Sequence, residues 1–484
     1  MSTQPNILLI TADDLNWNSV GAYGCATPEA TPNIDALAAE GLRFEHAHVA
    51  ISVCQPSRGA LMTGRYPHRS GQEGFHYING SGVPLLPERL RAAGYRVGIL
   101  GKAWHSTPRQ DFRWDLYQDM PDLGWGRDAQ LYHGFARGFF EQARTDGAPF
   151  FLMANTHDPH RPFHGNDAEL QGRQDIRYPA PSRAYAPEEV AVPGFLPDLP
   201  EVRREVAEYA GSVRRCDDVV GRLLDALRET GQAANTLVMF LSDNGMAFPF
   251  SKTNCYLHST KTPWIVRWPG RVAPGAVDRE HFIHGVDFMP TILEAAGAAP
   301  PGGMDGSSFL GVLRGRPDPS RTRVFTQFHE TAMRGRYPMR CVQDRRFGYL
   351  FNAWADGRRA FRNESQSGRT FRAMQAAAAT DAGIAARVAL FRHRVVEEFY
   401  DFERDPDALH NLADDPAYRG ELDRLRGELE AWMVRTGDPA LEAFRRRGDP
   451  AALAAFMAEQ ERRGERLRAE GNRPVPGEVQ VRRP

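Results

Sequence analysis

Between residues 6 and 300, short apolar runs alternate with amphipathic segments, and most of these runs end in polar, chemistry-bearing side chains. Ile7 to Ile10, set between Pro5 and Thr11-Ala12-Asp13-Asp14, is continuous rather than alternating, which predicts a parallel strand buried on both faces. Thr31-Pro32 starts a helix running to Gly41, with Ile34, Leu37 and Ala38 at helical spacing. Leu86 to Ala93 reads as a helix stopped by Gly94, and the strand Arg96 to Leu100 then delivers Gly101-Lys102-Ala103-Trp104-His105. A helix over Asp128 to Thr145 precedes the strand Pro149 to Asn155, which ends in Thr156-His157-Asp158-Pro159-His160. Residues 161–200 are rich in Pro, Arg and Asp without a period and read as a long surface excursion. Glu201 to Thr230 carries Val206, Val213, Val220, Leu224 and Leu227 along one helical face; the strand Thr236 to Leu241 leads to Ser242-Asp243-Asn244-Gly245. Trp264 to Trp268 reads as another strand and Asp287 to Gly297 as a helix closed by glycine. This alternation predicts a mostly parallel sheet with helices on both faces, in which ligands gather beyond the carboxyl ends of the strands.

From about residue 320 the pattern changes. Arg323 to Phe328, Met339 to Gln343, Phe347 to Asn352 and Glu398 to Phe402 are short strand-like runs that predict a small antiparallel sheet. Tyr418 to Thr436, with Leu422, Leu425, Leu429 and Trp432 at helical spacing, is expected to pack on it. Residues 355–392 are Arg/Ala-rich and read as a helical insertion. Residues 449–472 form a charged helix, expected to be a solvated face or a subunit contact, which leaves a homo-oligomer open. The expected division is a catalytic domain over 1–320 and a smaller C-terminal α+β domain over 321–484.

Composition narrows the function by exclusion. Lys plus Arg (60) nearly balance Asp plus Glu (61), so no global field favours nucleic acid or an anionic membrane, and positive charge for an anionic substrate has to be local. Five widely spaced cysteines (Cys25, Cys54, Cys216, Cys255, Cys341) show neither zinc-like pairing nor a disulfide framework. No apolar run is long enough for a bilayer, and the N-terminus shows no cleavable apolar segment, which gives a cytoplasmic expectation.

The stretch that concentrates chemistry is Cys54-Gln55-Pro56-Ser57-Arg58. Pro56 suits a first helical turn, which places Cys54 at a helix N-terminus with Arg58 about one turn further on. Asp13, Asp14, Asp243 and Asn244 all follow strands and offer only oxygen, which suits Ca²⁺ or Mg²⁺ rather than zinc. An isolated Asp-Asp pair reads more simply as a solvated turn, and a single His157 or His160 as a structural histidine. Their shared strand-end position argues for one site. Arg58, Lys102, His105, His157 and Lys252 add cations and proton donors around it. A dication ringed by positive side chains is what cleavage of a sulfate or phosphate ester requires.

The string C-Q-P-S-R-G-A-L-M-T-G from Cys54 to Gly64 resembles the sulfatase signature C-x-P-S-R-x-x-x-L/M-T-G. N-I-L-L-I-T-A-D-D, G-K-A-W-H, S-D-N-G, V-D-F-M-P-T-I-L and the late F-Y-D-F-E-R-D-P…H-N-L-A-D-D-P also resemble sulfatase motifs, in the expected order. The resemblance implies an alkaline-phosphatase-like α/β fold and oxidation of Cys54 to formylglycine by a formylglycine-generating or other sulfatase-maturing enzyme. It further implies Ca²⁺ bound by Asp13, Asp14, Asp243 and Asn244 alongside residue 54. Arg58 and Lys102 would hold the aldehyde and His105 would assist its hydrate. Lys252 and His157 would clamp the sulfate or protonate the leaving group. In that family one hydroxyl of the hydrated aldehyde attacks sulfur and the second expels sulfate, which a plain serine or cysteine lacks the hydroxyl to do. Within the family, T-H-D-P-H-R, S-D-N-G-M-A-F-P-F-S-K-T-N-C-Y and Y-P-M-R-C-V-Q-D-R-R-F resemble the heparan N-sulfatase branch. That implies a small N-sulfoglucosamine-like substrate, with His160, His329, Glu330 and Arg340 as candidate sugar contacts and Arg340 equally readable as a tether between the two domains. Two features depart from that branch: Lys252 stands where it has arginine, and G-K-A-W-H is longer, as in iduronate-2-sulfatases. The rival readings are a phosphonate monoester or phosphodiester hydrolase of the same fold, and a glycan-binding protein without catalysis.

Overall fold

The computed structural model of the chain describes residues 4–166 and 178–473. Strand β1 (Asn6–Ala12) is buried along its whole length, as its unbroken apolar run requires. It lies inside an eight-stranded sheet with β2 (Leu42–His48), β3 (Arg96–Leu100), β4 (Leu116–Gln118), β5 (Phe150–Asn155), β6 (Thr236–Ser242), β7 (Trp264–Arg267) and β8 (Ala276–His284), in the order β4-β3-β5-β1-β6-β7-β2-β8. All neighbours pair in parallel except β7, which runs antiparallel to both β6 and β2. The chain leaving β6 stays at the carboxyl end of the sheet through residues 243–263, so the next strand starts from that end and must run back. The expected mostly parallel α/β sheet is the one observed, with predicted helix bounds displaced by only a residue or so (Pro32–Ala39, Ala129–Thr145, Pro200–Glu229, Phe288–Ala296).

Strands β2 and β8 have no counterpart in the sequence expectation, and their residues show why. Within β2, Arg43, Glu45 and His46 alternate with buried positions, while β8 forms one edge of the sheet and buries only its last three residues, Phe282–His284. Neither presents a continuous apolar run, and β4, likewise without a counterpart, is three half-buried residues at the other edge.

The second sheet is antiparallel, in the order β12-β11-β10-β9, and is made of β9 (Arg323–Glu330), β10 (Arg336–Asp344), β11 (Phe347–Asn352) and β12 (Glu397–Asp401). The helix Arg419–Thr436 packs Leu422, Leu425, Leu429 and Trp432 into a cluster with Val342, Tyr349, Phe351 and Phe399 from that sheet. The expected helical insertion is present as Arg369–Ala377 and Ala382–His393. Its first helix is fastened to the long helix Pro200–Glu229 by Glu205, which accepts from the backbone N–H groups of Arg369 (3.0 Å) and Thr370 (2.8 Å).

The C-terminal helix Pro450–Gly471 has the expected solvated face, and it also buries a second face against the rest of the protein through Leu453, Met457, Gln460 and Gly464. Arg463 on this helix donates to Glu73 at 2.9 Å. Arg336 of β10 donates to the same buried carboxylate at 2.6 Å and to Gln460 of the helix at 3.0 Å. Burial alone would raise the Glu73 carboxyl, but the guanidinium groups of Arg336 and Arg463 beside it hold it well below the usual range, and these two contacts are ion pairs. A one-turn charge pattern on a helix does not distinguish solvent from a buried carboxylate. Among the described residues no helix is long and apolar enough to cross a membrane.

Candidate active site

Register explains why residues far apart in sequence meet. The central order β3-β5-β1-β6 sets Leu100 beside Ala154, Thr11 beside Asn155 and Ala12 beside Ser242. The segments that follow these strands therefore emerge side by side: Lys102 to His105, His157 to His160, Asp13-Asp14, and Asp243-Asn244. Asp14 turns the chain in a left-handed conformation (φ 66°) and donates its N–H to Asp243 Oδ1 at 3.2 Å. Gly101 (φ +67°) has no room for a side chain, since a Cβ there would lie 2.2 Å from the Asn155 carbonyl oxygen. With Lys102 also left-handed (φ 48°), this turn aims the lysine ammonium at Asp13 Oδ2, with which it forms a close ion pair. The His157–His160 loop is anchored by Asp158, whose buried carboxylate accepts from Arg127 (3.0 Å) and Arg215 (2.6 Å).

Cys54 is the first residue of the helix Cys54–Thr63, and its Sγ lies 3.4 Å from Asp13 Oδ1. Arg58, one turn along and fully buried, donates to Asp243 Oδ2 (2.8 Å), Thr11 Oγ1 (2.6 Å) and Asn155 Oδ1 (2.7 Å). Its fork thus ties the cysteine helix to three adjacent strand ends. Asn244 Nδ2 donates to Asp14 Oδ1 at 2.7 Å, and Lys252 Nζ to Asp14 Oδ2 at 2.8 Å. Lys252 also forms a close pair with Glu364.

Three carboxylates in one buried place create an electrostatic problem. Burial raises Asp14 well above its usual value, Lys252 offsetting only part of it while Asp13 adds repulsion. Burial likewise pushes Asp243 up to about 6 despite Arg58. Burial would raise Asp13 too, but Lys102 and Arg58 together hold it well below the carboxylate range. Oxygens of Asp13, Asp14 and Asp243 approach within 4.8 Å of one another. Asn244 Oδ1 is buried and accepts no hydrogen bond from the described residues. A hard divalent cation answers both features, giving the orphaned amide oxygen a partner and the crowded carboxylates a counter-charge. The residues fit such an ion. Burial, reinforced by Asp13, holds the Cys54 sulfur as a thiol rather than a thiolate.

Above this floor opens a cavity of about 430 Å³. Cys54, Lys102, His105, His157, His160, Lys252 and Glu330 all line it. His105 stands edge-on to Trp104 and Phe75, with ring centroids 4.5 and 5.8 Å away. Burial and then Lys102 depress both His105 and His157, and burial with Lys252 takes His160 down to about 3, so all three imidazoles are neutral. A second cavity of about 300 Å³, lined by Trp17, Tyr209, Val213 and His258, contains none of these groups.

Two expected sugar contacts lie elsewhere. Arg340 is buried and forks Asp438 through Nε and Nη2, the latter at 2.8 Å; it does not line the cavity, and because Asp438 belongs to the same C-terminal part of the chain the pair does not link the two expected domains either. His329 is enclosed with Gln327 (2.6 Å) and Glu73 (3.6 Å) and is likewise off the cavity wall. Both sit on strands whose side chains alternate between faces, so residues near Glu330 in sequence need not share its direction. The sequence reading missed Glu364, which sits between Lys252 and His160 on the cavity wall, the latter at 3.8 Å. It also missed Arg334, Arg468 and Asn472 at the same cavity. The nearest available signal for Glu364 was the helical reading of 355–392, which gave no hint of where that segment docks.

A family model described as Sulfatase matches residues 5–298. The chain belongs to the sulfatase family. A second model, described as N-sulphoglucosamine sulphohydrolase, C-terminal, matches residues 246–355 of this sulfatase. Human N-sulphoglucosamine sulphohydrolase is 33% identical over 465 residues, covering 90% of this chain and 91% of that protein. An ulvan-active sulfatase of Formosa agariphila is 27% identical over 451 residues, covering 90% and 82%. Among solved structures, one in complex with its substrate D-glucosamine-2-N,6-O-disulfate superposes with a TM-score of 0.67 at 18% identity, covering 90% of this chain and 99% of that one. The phosphonate monoester hydrolase of Agrobacterium radiobacter superposes with a TM-score of 0.64 at 19% identity, covering 90% and 96%. These structural likenesses show the fold, alkaline-phosphatase-like with its smaller antiparallel sheet. As a sulfatase, the protein is a sulfuric ester hydrolase.

Proposed function

We propose that this sulfatase releases sulfate from a glucosamine-like sugar sulfated on nitrogen, with residue 54 as formylglycine and one divalent cation, Ca²⁺ by ligand chemistry. The observation that carries the chemical half is the placement of Cys54, 3.4 Å from Asp13 and at the floor of the cavity that also exposes Lys102, His157 and Lys252. The sugar half is supported by the human relative and by the C-terminal family model. Asp13, Asp14, Asp243 and Asn244 would hold the cation. When present, the cation and the aldehyde hydrate supply charge neutralisation at the sulfate oxygens and the attacking hydroxyl, respectively.

The chain's own residues divide the remaining work. Lys102 and Lys252 each pair with one of the adjacent aspartates and present ammonium charge to the same cavity, where an oxyanion gains most from preorganised donors. Arg58 has its donors committed to Asp243, Thr11, Asn155 and the Ala12 carbonyl, so it is a positioning residue that fixes the start of the cysteine helix. His157, with Nδ1 buried, without a hydrogen-bond partner among the described residues and 4.0 Å from Asp13 Oδ2, is placed to manage the proton taken up by the departing amine. Completing the site requires a formylglycine-generating or other sulfatase-maturing enzyme as a partner.

The test is sulfate release from glucosamine N-sulfate beside 2-O- and 6-O-sulfated sugars and an aryl phosphodiester. Turnover of the N-sulfate is expected to exceed the others. Release from O-sulfates alone would overturn the substrate, and preference for the phosphodiester would favour the phosphonate-hydrolase rival.

A further inference from the structure

At the mouth of the cavity the hairpin between β9 and β10 closes in a tight turn, Thr331 to Gly335. Thr331 N–H donates to the Gly335 carbonyl (3.0 Å), Arg334 N–H to the Thr331 carbonyl (2.9 Å) and Gly335 N–H to Thr331 Oγ1 (3.3 Å). The residue this turn forces to positive φ is not a glycine. Arg334 stands at φ 65°, a conformation that disfavours any side chain with a Cβ. Its side chain is exposed, lines the cavity, and pairs with no carboxylate among the described residues.

The other charges at the cavity are already matched. Lys252 faces Asp14 and Glu364; Lys102 faces Asp13; Arg468, at the end of the C-terminal helix, pairs closely with Glu330. That leaves Arg334, exposed on the turn between β9 and β10, as the cation at this cavity with no carboxylate partner among the described residues. Beside it Met333 is 65% exposed, an apolar surface next to the charge. A pocket of about 430 Å³ with an anion site at its floor suits a single sugar, and a cation at its lip suits a second negative charge on that sugar or on its neighbour.

We propose that Arg334 is a specificity-determining residue that reads a second anionic group, sulfate or carboxylate, on the sulfated sugar. This rests on the sulfated-sugar reading of the floor. A guanidinium suits the task because its planar fork meets either oxyanion with two parallel hydrogen bonds. The anchored C-terminal helix, through Arg468 paired to Glu330, forms the adjoining wall.

The test compares kcat/KM for glucosamine N-sulfate, glucosamine N,6-O-disulfate, an N-sulfoglucosamine–uronate disaccharide and a small aryl sulfate. Three proteins are used: the matured enzyme, Arg334→Gly and Arg334→Lys. Glycine suits the observed φ, so Arg334→Gly removes the charge without straining the turn. The matured enzyme is expected to favour one of the two dianionic sugars over the monosulfate by at least about tenfold, mainly in KM. Which of the two it favours identifies the source of the second charge. Arg334→Gly is expected to erase that preference while leaving the monosulfate and the aryl sulfate unchanged, and Arg334→Lys to retain part of it. No preference in the matured enzyme, or an equal loss on all four substrates in Arg334→Gly, would overturn the proposal. Release of sulfate only from oxygen would refute the N-sulfate reading separately, and comparison of glucosamine 6-O-sulfate with the N,6-O-disulfate would then decide the role of Arg334.

Discussion

Replacing Arg340 by alanine tests whether this arginine holds the fold or touches the sugar. Its guanidinium donates to both oxygens of Asp438, and the two side chains are 1% and 0% exposed. Asp438 Oδ1 also accepts the N–H of Ala440 at 2.8 Å, in the turn that follows the helix Arg419–Thr436. Arg340→Ala leaves a buried carboxylate without its counter-ion, a change that costs about 3–5 kcal/mol. The pH dependence has a definite sign. In the wild type, burial would raise Asp438 but Arg340 holds it below the usual value. The pair's contribution is therefore present above the ordinary carboxylate range and is lost as pH falls through the depressed value. Without Arg340, burial raises the same carboxyl, so the variant's deficit is greatest at neutral pH and narrows as pH is lowered from about 7 toward 5. Urea unfolding followed by tryptophan fluorescence at a series of pH values measures it. Arg340→Met combined with Asp438→Leu is expected to recover most of the loss, because no buried charge is left unpaired. An unchanged midpoint in Arg340→Ala, or a rise in KM for the sugar that spares an aryl sulfate, would refute this structural role.

Purified protein is expected to carry one divalent cation per chain by elemental analysis, and Asn244→Ala to lower its occupancy, since the orphaned Oδ1 is then lost; stoichiometric zinc, or full activity after verified removal, would contradict the oxygen-ligand site. Glu364→Gln is expected to lower kcat/KM on the sugar about tenfold or more with little change in thermal midpoint, because a carboxylate held down to about 2, by Lys252 against the effect of burial, orients that lysine over the cavity. Unaltered kinetics in Glu364→Gln would make that pair a bystander.

What the sequence makes legible follows from which interactions are local. Asp13, Lys102, His157 and Asp243 are readable because each follows a continuous apolar strand, and parallel sheets gather such strand ends. Cys54 and Arg58 are readable because one helical turn fixes their spacing. Glu364, Arg334 and Arg468 are not, because each reaches the cavity by the docking of a whole element. The insertion containing Glu364 docks through Glu205, and the C-terminal helix through Glu73, both more than a hundred residues from what they hold. The same blindness assigned His329 and Arg340 to the sugar: His329 adjoins Glu330 on β9, where successive side chains take opposite faces, and Arg340 lies on the next strand, β10, whose facing the sequence does not give. Strand β8 was missed for a further reason: a sheet edge buries too little to leave an apolar run.

The central claim is that residue 54 does the chemistry as an aldehyde. Mass spectrometry of the peptide spanning Phe44 to Arg58 tests it most directly, in protein fractions that differ in specific activity. The expected result is a peptide in which the sulfur of Cys54 is replaced by oxygen with loss of two hydrogens, its fraction rising in proportion to turnover, with Cys54→Ala folded and inactive. Full turnover from protein that carries only the free thiol at Cys54 would contradict the account.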